Sequence, residues 1–390
     1  MKAIKVLHIA SFSGNIGDNA NHNGFRYRLK DKLGCNIHFD EIEIREFYRS
    51  WNMRDFNTEE FIDQCNSHDL VIFGGGNFFE IRWDYSFTGT TINISKDTLK
   101  KIDTPILFNA MGCDIATGYS VERVKRFGSF LEQITASEKM LVSVRNDGSY
   151  GTISSLYNGK FNDYIYRVPD GGFFIKTKQS GFPELDENRR SIGINIVSDM
   201  KDIRFNGSEE NGIPYDVFIK QYAEEMNDFL KENDKYQLIF FPHIYSDLTA
   251  ITDMLEYMDD WYRRERIKVA PCIAGPGSEE YIFGLYKMCD LIMGMRFHSN
   301  VCSIAQNIPT IALCSYKKIH DLYKEVGLPD RVVEVNKAGF REKLRDEIQN
   351  TIGDLDRISA EYRKVNEKLY LESEPFYSDI KLWCERNGIL

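Results

Sequence analysis

The amino-acid sequence predicts an α/β fold made of two Rossmann-like domains that face a central cleft, followed by C-terminal helices. Short apolar runs end in glycine or a small polar residue and are separated by helix-length segments. Such continuous runs are typical of parallel strands that are buried on both faces. A polar stretch interrupts the pattern, which then starts again. With 390 residues, the chain also exceeds the size at which one hydrophobic core stops growing, so two domains are expected.

The first domain is predicted at residues 1–178 and the second, with a helical C-terminal tail, at residues 190–390. The non-periodic stretch 176–190 is interpreted as the linker between them. Strands are expected at residues 4–10, 70–73, 106–108, 141–144, 191–197, 236–241, 267–269, 291–295 and 310–313. From about residue 337 onward, charges of alternating sign indicate solvated helices. Ligands of doubly wound sheets bind beyond the carboxyl ends of the strands, so the residues that follow each run are the first site candidates.

Composition narrows the class of function. The 59 acidic and 49 basic residues give a formal net charge of −10, whereas a nucleic-acid binder normally presents a basic face. The 8 cysteines form no Cys-x-x-Cys pair and the histidines show no metal-ligand spacing, so neither a metal site nor a disulfide framework is predicted. The N-terminus reads as a strand rather than a signal peptide, and no apolar run could span a membrane. We therefore predict a cytoplasmic protein, with at most peripheral contact at the inner face of the membrane.

The most informative segment joins a buried strand to a helix at Arg296 and His298. Unpaired backbone N–H groups and the helix dipole favour an anion at such a junction. Arginine adds a planar fork that matches carboxylate or phosphate, and histidine can transfer a proton near neutral pH. Alternatively, Arg296 pairs with a structural carboxylate and His298 caps its own helix. Lys317 lies close after the next strand and is included among the donor-binding candidates.

Two loops of the first half are further candidates for substrate binding. Asn15, Gly17 and Asp18 follow the first strand, where glycine permits close backbone approach; the alternative is a plain turn in which Asp18 caps a helix. The second loop resembles a phosphate cradle, but it lacks the Lys-Ser/Thr of a P-loop, and its glycines could simply allow close packing. It consists of Gly74, Gly75, Gly76 and Asn77.

In the second half, His243 and Asp247 follow a strand and could contact substrate. His243 is a candidate acid/base on the sugar side, and a structural histidine is the alternative. Glu279 begins a helix, where acidic residues usually complement the dipole, and it is kept as a donor-binding candidate. Residues 82–91 are rich in aromatic side chains, which suit sugar rings, and are the predicted acceptor-recognition segment.

Several short motifs follow one another in a definite order. They are Asn15-x-Gly17-Asp18, Gly74-Gly75-Gly76, Ser143-x-Arg145-x-Asp147, Pro169-Asp170, Pro242-His243 with Asp247, Gly294-x-Arg296-Phe297-His298, Pro309-x-Ile311-Ala312 and Tyr316-x-Lys318. Their order and spacing, up to about residue 330, resemble the polysaccharide pyruvyl transferase family. In the third motif, Asn146 stands between the arginine and the aspartate that are adjacent in the family.

The resemblance implies a fold similar to that of GT-B glycosyltransferases. It also implies transfer of the enolpyruvyl group of phosphoenolpyruvate to two hydroxyls of a saccharide, giving a pyruvate ketal in exopolysaccharide or cell-surface glycan biosynthesis. Phosphoenolpyruvate would be a co-substrate, no cofactor is implied, and the acceptor could be free, nucleotide-linked or lipid-linked. By the same resemblance, Arg145, Arg296 and His298 hold the donor.

The chemistry suits these residue types. Phosphoenolpyruvate carries a carboxylate and a phosphate, so its recognition requires at least two cationic forks. Addition to its double bond requires protonation of C3, for which His298 is the candidate; His298 could instead only donate to the phosphate. Two other interpretations remain open: a nucleotide-sugar glycosyltransferase of the same fold, and a non-catalytic relative that binds sugars or anions. An NAD-dependent oxidoreductase is disfavoured because the glycine fingerprint is absent. The oligomeric state is not predicted.

Overall fold

The computed structural model describes residues 3–177 and 181–390. The chain folds into two compact units. The first unit comprises Met1–Phe12, Asn21–Phe174 and Leu369–Leu390, and the second comprises Ser13–Ala20 and Ile175–Lys368. This division differs from the predicted boundaries. It assigns Ser13–Ala20 to the second unit and Leu369–Leu390 to the first. The predicted boundary at residue 178 lies outside the described residues.

The first unit contains a six-stranded parallel sheet with the strand order β2-β1-β3-β4-β5-β6. Its strands are β1 (Ile4–Ala10), β2 (Ile37–Glu43), β3 (Leu70–Gly74), β4 (Ile106–Met111), β5 (Met140–Arg145) and β6 (Tyr166–Val168). The helices of this part of the chain are α1 (Ile16–Leu33), α2 (Glu59–Asn66), α3 (Lys96–Lys101), α4 (Val121–Thr135) and α5 (Ser149–Leu156), with 3-10 turns at Ile44–Phe47 and Gly171–Phe174. The four predicted strands are confirmed as β1, β3, β4 and β5. The sequence pattern missed β2 and β6, the edge strands, because they are only partly buried.

The second unit contains another six-stranded parallel sheet with the order β12-β11-β10-β7-β8-β9. Its strands are β7 (Arg190–Asn195), β8 (Tyr236–Phe240), β9 (Ile267–Val269), β10 (Leu291–Gly294), β11 (Thr310–Cys314) and β12 (Val332–Glu334). The helices are α6 (Lys201–Arg204), α7 (Tyr215–Glu232), α8 (Tyr245–Leu255), α9 (Asp260–Glu265), α10 (Ser278–Tyr286), α11 (Phe297–Ala305), α12 (Lys317–Val326), α13 (Phe340–Gly353) and α14 (Leu355–Arg386), with a 3-10 turn at Pro329–Arg331. Five of these strands were predicted, and the missed one, β12, is a three-residue edge strand. Two parallel sheets with flanking helices confirm the α/β fold class.

The end of α14 completes the core of the first unit. Buried Phe376, Ile380 and Trp383 pack with apolar residues of β1, β3 and α1. The Trp383 indole N–H donates to the carbonyl of Glu138 at 2.8 Å, which fixes the helix end next to β5. The apolar face of these residues explains why they belong to the first unit, although the sequence pattern had placed them in the second. No helix in the described part of the chain has the length and apolar character needed to cross a bilayer.

In each sheet the parallel strands bring their carboxyl ends to one edge. In the second unit, neighbouring strands β7, β8, β10 and β11 lead to Asn195, His243, Arg296 and Ser315 at that edge. In the first unit, Gly74–Gly76, Gly112, Arg145 and Asp170 occupy the corresponding positions. The predicted site residues therefore fall at two sheet edges, one in each unit.

Candidate functional site

Arg296 lies at the junction of β10 and α11 in the second unit, where it is the N-cap residue of the helix. Its backbone N–H donates to the Asn195 side-chain oxygen at 2.9 Å, which ties the junction to the end of β7. The Arg296 side chain makes no capping hydrogen bond to α11, and the first turn of this helix contains no acidic residue. The partial positive charge of the helix terminus is therefore not offset by a carboxylate of its own first turn.

The Arg296 guanidinium is held by two carboxylates. Its Nε donates to Asp247 at 2.8 Å, and its Nη2 also donates to Asp247. The contacts to Asp199 are longer, 3.2 Å and 3.4 Å. Burial by itself would lower the pKa of Arg296, but the hydrogen bonds and charge of Asp247, followed by those of Asp199, raise it above its ordinary value. The structural pairing that the sequence left open is thus present, and Asp199 is the weaker of the two partners.

His298 lies in the first turn of α11 and is buried, with 6% of its surface exposed. Its Nδ1 is 4.0 Å from a carboxylate oxygen of Asp18. Gly17 contacts the ring so closely that an added Cβ would lie 2.5 Å from Nδ1 and 2.6 Å from the His298 Cβ. Asn15 accepts a hydrogen bond from the Gly17 N–H at 3.0 Å. Asn15, rather than Asp18, therefore provides this side-chain bond at the start of α1, and Asp18 lies beside the imidazole.

His243 and Asp247 occupy buried positions at the end of β8. Asp247 has no exposed surface and accepts the His243 backbone N–H at 2.9 Å, so it links this loop to Arg296. The His243 Nε2 lies 2.8 Å from the Tyr286 hydroxyl, which donates to Ser299 at 3.2 Å. Burial, followed by the charges of Arg296 and His298, lowers the pKa of His243 well below its ordinary value. His243 is therefore neutral, in a setting that favours the structural alternative.

Two other predicted residues lie at helix starts of the second unit. Glu279 is buried in the first turn of α10. Lys317 begins α12, but its side chain is 77% exposed and pairs with Asp321 one turn later. The adjacent Lys318 instead places its ammonium group 5.2 Å from the ring centroid of Phe297, the first residue of α11.

Sequence reasoning missed Arg204, the last residue of α6. It is 8% exposed and lies 3.7 Å from Asp199, so it shares this carboxylate with Arg296. Its segment is polar and lies outside every strand-to-helix junction that the sequence singled out. A charged residue in a short and largely polar segment gives no sequence signal of burial, because only the folded chain brings α6 to the end of β11.

In the first unit, Arg145 at the end of β5 is also buried in an ion-pair cluster. Its Nε donates to Asp147 at 2.7 Å and its Nη1 donates to Asp170 at 3.2 Å. Asp170 additionally accepts from the Asn21 side chain at 2.8 Å. All three charged side chains are at most 4% exposed. Asp147 and Asp170, which come from two of the sequence motifs, therefore compensate the charge of Arg145 within the first unit.

The glycine run after β3 is closely packed. A Cβ at Gly74 would lie 2.7 Å from the Nε2 of His8, and one at Gly76 would meet the Phe78 ring. Gly75 has a φ of +65°, and a Cβ there would lie 2.7 Å from the Asn21 side-chain oxygen. The side chain of Asn77, in turn, approaches Gly112. Packing accounts for these glycines, and their role in binding a donor stays a prediction.

The predicted acceptor segment 82–91 is a loop of the first unit anchored to α4. Arg123 donates to the carbonyl of Arg82 at 2.5 Å, and Arg126 donates to the carbonyl of Asp84 at 2.6 Å. Within the loop, the Thr88 hydroxyl donates to the carbonyl of Ile92 at 2.6 Å. The ring of Phe87 remains 61% exposed. The segment is therefore a fixed loop with at least one aromatic face in solvent.

The model of the polysaccharide pyruvyl transferase family matches residues 15–317, which is more than half of the chain. The chain belongs to the polysaccharide pyruvyl transferase family. None of the curated proteins compared with it matches the chain.

The family match begins at Asn15 and ends at Lys317, so it covers every predicted site residue. Of these, the structure brings together Gly17, Asp18 and His298 in the second unit of this pyruvyl transferase family member. It also joins Arg296 to Asp247. Arg145 belongs to the first unit, where its partners are Asp147 and Asp170. Among the residues described, no cluster of histidine, cysteine, aspartate and glutamate could hold a metal ion.

Solved structures resemble this polysaccharide pyruvyl transferase family member in fold. Staphylococcus aureus MnaA, solved with UDP, is 11% identical with a TM-score of 0.53, covering 98% of this chain and 97% of its own. A candidate UDP-N-acetylglucosamine 2-epimerase from Listeria monocytogenes is 10% identical with a TM-score of 0.55, covering 92% and 91%. A further UDP-N-acetylglucosamine 2-epimerase is 11% identical with a TM-score of 0.53, covering 97% of both chains. At these identities the likeness establishes the two-domain GT-B-type α/β fold.

Proposed function

We propose that the protein is a phosphoenolpyruvate-dependent pyruvyl transferase that forms a pyruvate ketal on a saccharide of an exopolysaccharide or cell-surface glycan. The observation that carries the proposal is the environment of His298. This buried imidazole lies in the first turn of a helix without an acidic residue there, 4.0 Å from Asp18, within the segment matched by the family. These features support the proposal of an anion site and a proton-transfer group at one sheet edge.

The reaction forms one C–H bond at C3 and two C–O bonds at C2, and it breaks the bond from C2 to the phosphate oxygen and two hydroxyl O–H bonds. As C3 of phosphoenolpyruvate takes up a proton, the oxygen of one sugar hydroxyl bonds to C2 and loses its proton. The oxygen of the second hydroxyl then bonds to C2 and loses its proton, the bond from C2 to the phosphate oxygen breaks, and the inorganic phosphate that leaves takes up that proton. A positioned acid or base typically contributes roughly 10²- to 10⁴-fold to such a step. We assign the C3 protonation to His298, whose Nδ1 lies 4.0 Å from Asp18.

Donor binding is assigned to the arginines. Arg296 is held firmly by Asp247 and only at 3.2–3.4 Å by Asp199, so a donor oxygen could replace Asp199 while Asp247 keeps the fork in place. The proposed role of Arg145 in donor binding rests on its place in the family motif, and the orientation of its side chain within the first unit is set by Asp147 and Asp170. The proposal needs no cofactor besides phosphoenolpyruvate as co-substrate, and no metal. Activity that disappears in a chelator and returns with a divalent cation would contradict this.

The acceptor is proposed to be a saccharide, either nucleotide-linked or lipid-linked, handled in the cytoplasm or at the inner face of the membrane. The loop at residues 82–91 is the proposed recognition segment, because it is fixed by Arg123 and Arg126 and leaves Phe87 exposed. A Phe87→Ala substitution should raise the KM for the acceptor with little change in the KM for phosphoenolpyruvate. An unchanged acceptor KM would exclude the loop.

The test is a reaction in D₂O with phosphoenolpyruvate and a panel of saccharides. Inorganic phosphate should be released together with a ketal whose methyl group contains one deuterium, because C3 takes its proton from exchangeable sites. His298→Ala should reduce phosphate release at least about 100-fold, while His320→Ala, which changes an exposed histidine of the same unit, should not. Binding of UDP-N-acetylglucosamine without binding of phosphoenolpyruvate would overturn the proposal.

A further inference from the structure

Arg204 is a buried cation whose hydrogen-bond donors are only partly satisfied by the ion pairs of the second unit. The residue ends α6 and is 8% exposed. A guanidinium group has five N–H donors. Here it makes one long hydrogen bond, from Nη1 to the Ser315 hydroxyl at 3.4 Å, and its Nε lies 3.7 Å from Asp199. Within the described part of the chain, the buried Nε has no hydrogen-bond partner.

The nearby carboxylates are already used by a second arginine. Asp247 accepts from Arg296 with both oxygens, and Asp199 contacts Arg296 at shorter distances than it contacts Arg204. Burial lowers the pKa of the Arg204 guanidinium, and the charge of Asp199 offsets only part of that effect. A buried charge with too few partners is destabilising, and Arg204 has only the long contacts to Ser315 and Asp199 and the ring of Tyr316. The arrangement therefore favours a further anion beside Arg204.

The start of a helix lies next to Arg204. The guanidinium carbon lies 5.2 Å from the ring centroid of Tyr316, which is the N-cap residue of the ten-residue helix α12. The Tyr316 side chain makes no capping hydrogen bond to α12, and the first turn of this helix contains no acidic residue. A helix start of this kind combined with a guanidinium fork is the usual setting for a phosphoryl group.

We propose that Arg204 binds the phosphoryl group of the donor at the N-terminus of α12. The identity of the donor as phosphoenolpyruvate rests on the proposed function, but the phosphoryl group is shared with nucleotide sugars. Arg204 lies outside the sequence motifs described above. Its role in phosphoryl binding can therefore be tested without knowing which donor the protein uses. The competing interpretation is that Arg204 only supports the fold.

The test compares Arg204→Gln with Arg331→Gln. Arg331 is a matched control, since it belongs to the same unit, its side chain is 11% exposed, and its Nε is also buried without a hydrogen-bond partner among the described residues. It is satisfied, however, by Glu347 at 2.7 Å and Thr351 at 2.9 Å. Calorimetric titrations would use phosphoenolpyruvate, UDP-N-acetylglucosamine, inorganic phosphate and pyruvate, with the melting temperature of each variant as the measure of folding.

Arg204→Gln should weaken every phosphoryl ligand that the unaltered protein binds by roughly 10- to 100-fold, as expected for charged hydrogen bonds. Binding of pyruvate, which has no phosphate, should change less than twofold, and Arg331→Gln should leave all affinities unchanged. If Arg204→Gln does not fold, Arg204→Lys keeps the charge without the fork and should still weaken these ligands.

The outcomes separate the inference from the proposed function. Phosphoenolpyruvate that binds equally well to the unaltered protein and to a folded Arg204 variant would overturn the inference and leave the function standing. UDP-N-acetylglucosamine that binds in place of phosphoenolpyruvate, and is weakened by the Arg204 substitution, would overturn the function and support the inference. A protein that binds none of the phosphoryl ligands would overturn both.

Discussion

A Gly17→Ala substitution should displace His298 and lower kcat, while changing the stability of the protein much less. Gly17 lies in the first turn of α1 and has no positive φ, so its backbone accepts alanine. The added methyl group would lie 2.6 Å from the His298 Cβ, against 3.4–4 Å for an ordinary contact. To reach an ordinary contact, the two Cβ atoms must move apart by at least 0.8 Å in total. Rotating the ring does not relieve the clash, because the His298 Cβ is fixed to the backbone of α11.

The expected magnitudes follow from this displacement. A misplacement of about 1 Å at a reacting group can cost roughly 100-fold in rate, so kcat should fall by about that factor. Stability should change much less. Alanine in place of glycine in a helix contributes about 1 kcal/mol, and overpacking costs about 1–3 kcal/mol, so the net loss is roughly 0–2 kcal/mol.

The assay is steady-state release of phosphate from phosphoenolpyruvate, with urea unfolding measured on the same preparations. Gly353→Ala is the control, because that glycine ends α13 with no atom within 4 Å of its added Cβ, and its turnover should match the unaltered protein. In a His298→Ala background, Gly17→Ala should have no further effect on kcat. Turnover of the single variant within about threefold of normal would refute the steric argument.

Three further predictions concern the same unit. Because burial keeps His243 neutral in the folded state, only the unfolded chain takes up its proton below about pH 6.5, so stability should fall by at most about 1.4 kcal/mol per pH unit there. In urea titrations from pH 7 to 5, His243→Gln should show a shallower decline, and parallel curves would contradict this. Asp247→Asn should lower the unfolding free energy by roughly 3–5 kcal/mol, since it leaves Arg296 buried beside a neutral partner; a loss below about 1 kcal/mol would be inconsistent. Arg296→Lys should raise the KM for phosphoenolpyruvate despite the retained charge, and an unchanged KM would argue against donor contact.

The buried strands could be predicted because each is a continuous apolar run, which is visible in the sequence without knowledge of the fold. Runs such as Leu70–Gly74 are apolar throughout, whereas the missed edge strands are short or mix polar with apolar residues. Most candidate site residues could also be predicted, because they directly follow these apolar runs in the sequence. The partners of Arg296 were not predictable, since Asp199 and Asp247 lie 97 and 49 residues away along the chain.

Close packing between distant segments was equally invisible to the sequence. Nothing in the residues around Gly17 indicates that its missing side chain makes room for His298. A largely polar segment also does not indicate that one of its charged residues is buried, which is why Arg204 was not predicted. Periodicity reports the environment of a segment, whereas ion pairs and steric complementarity depend on residues that only the tertiary fold brings together.

Because Leu369–Leu390 pack into the first unit, that unit is completed after the second during synthesis, although its synthesis begins earlier. The ribosome makes most of the first unit early, yet Phe376, Ile380 and Trp383 of its core are made only after the second unit has been completed at Lys368. At about 5–20 residues per second, roughly 10–40 s separate the synthesis of Phe174 from that of Leu390. During that interval an apolar surface on the nascent first unit has no cover, and the second unit, complete at Lys368, is finished before it. The half that is begun first therefore has the longest exposure to chaperones and to aggregation.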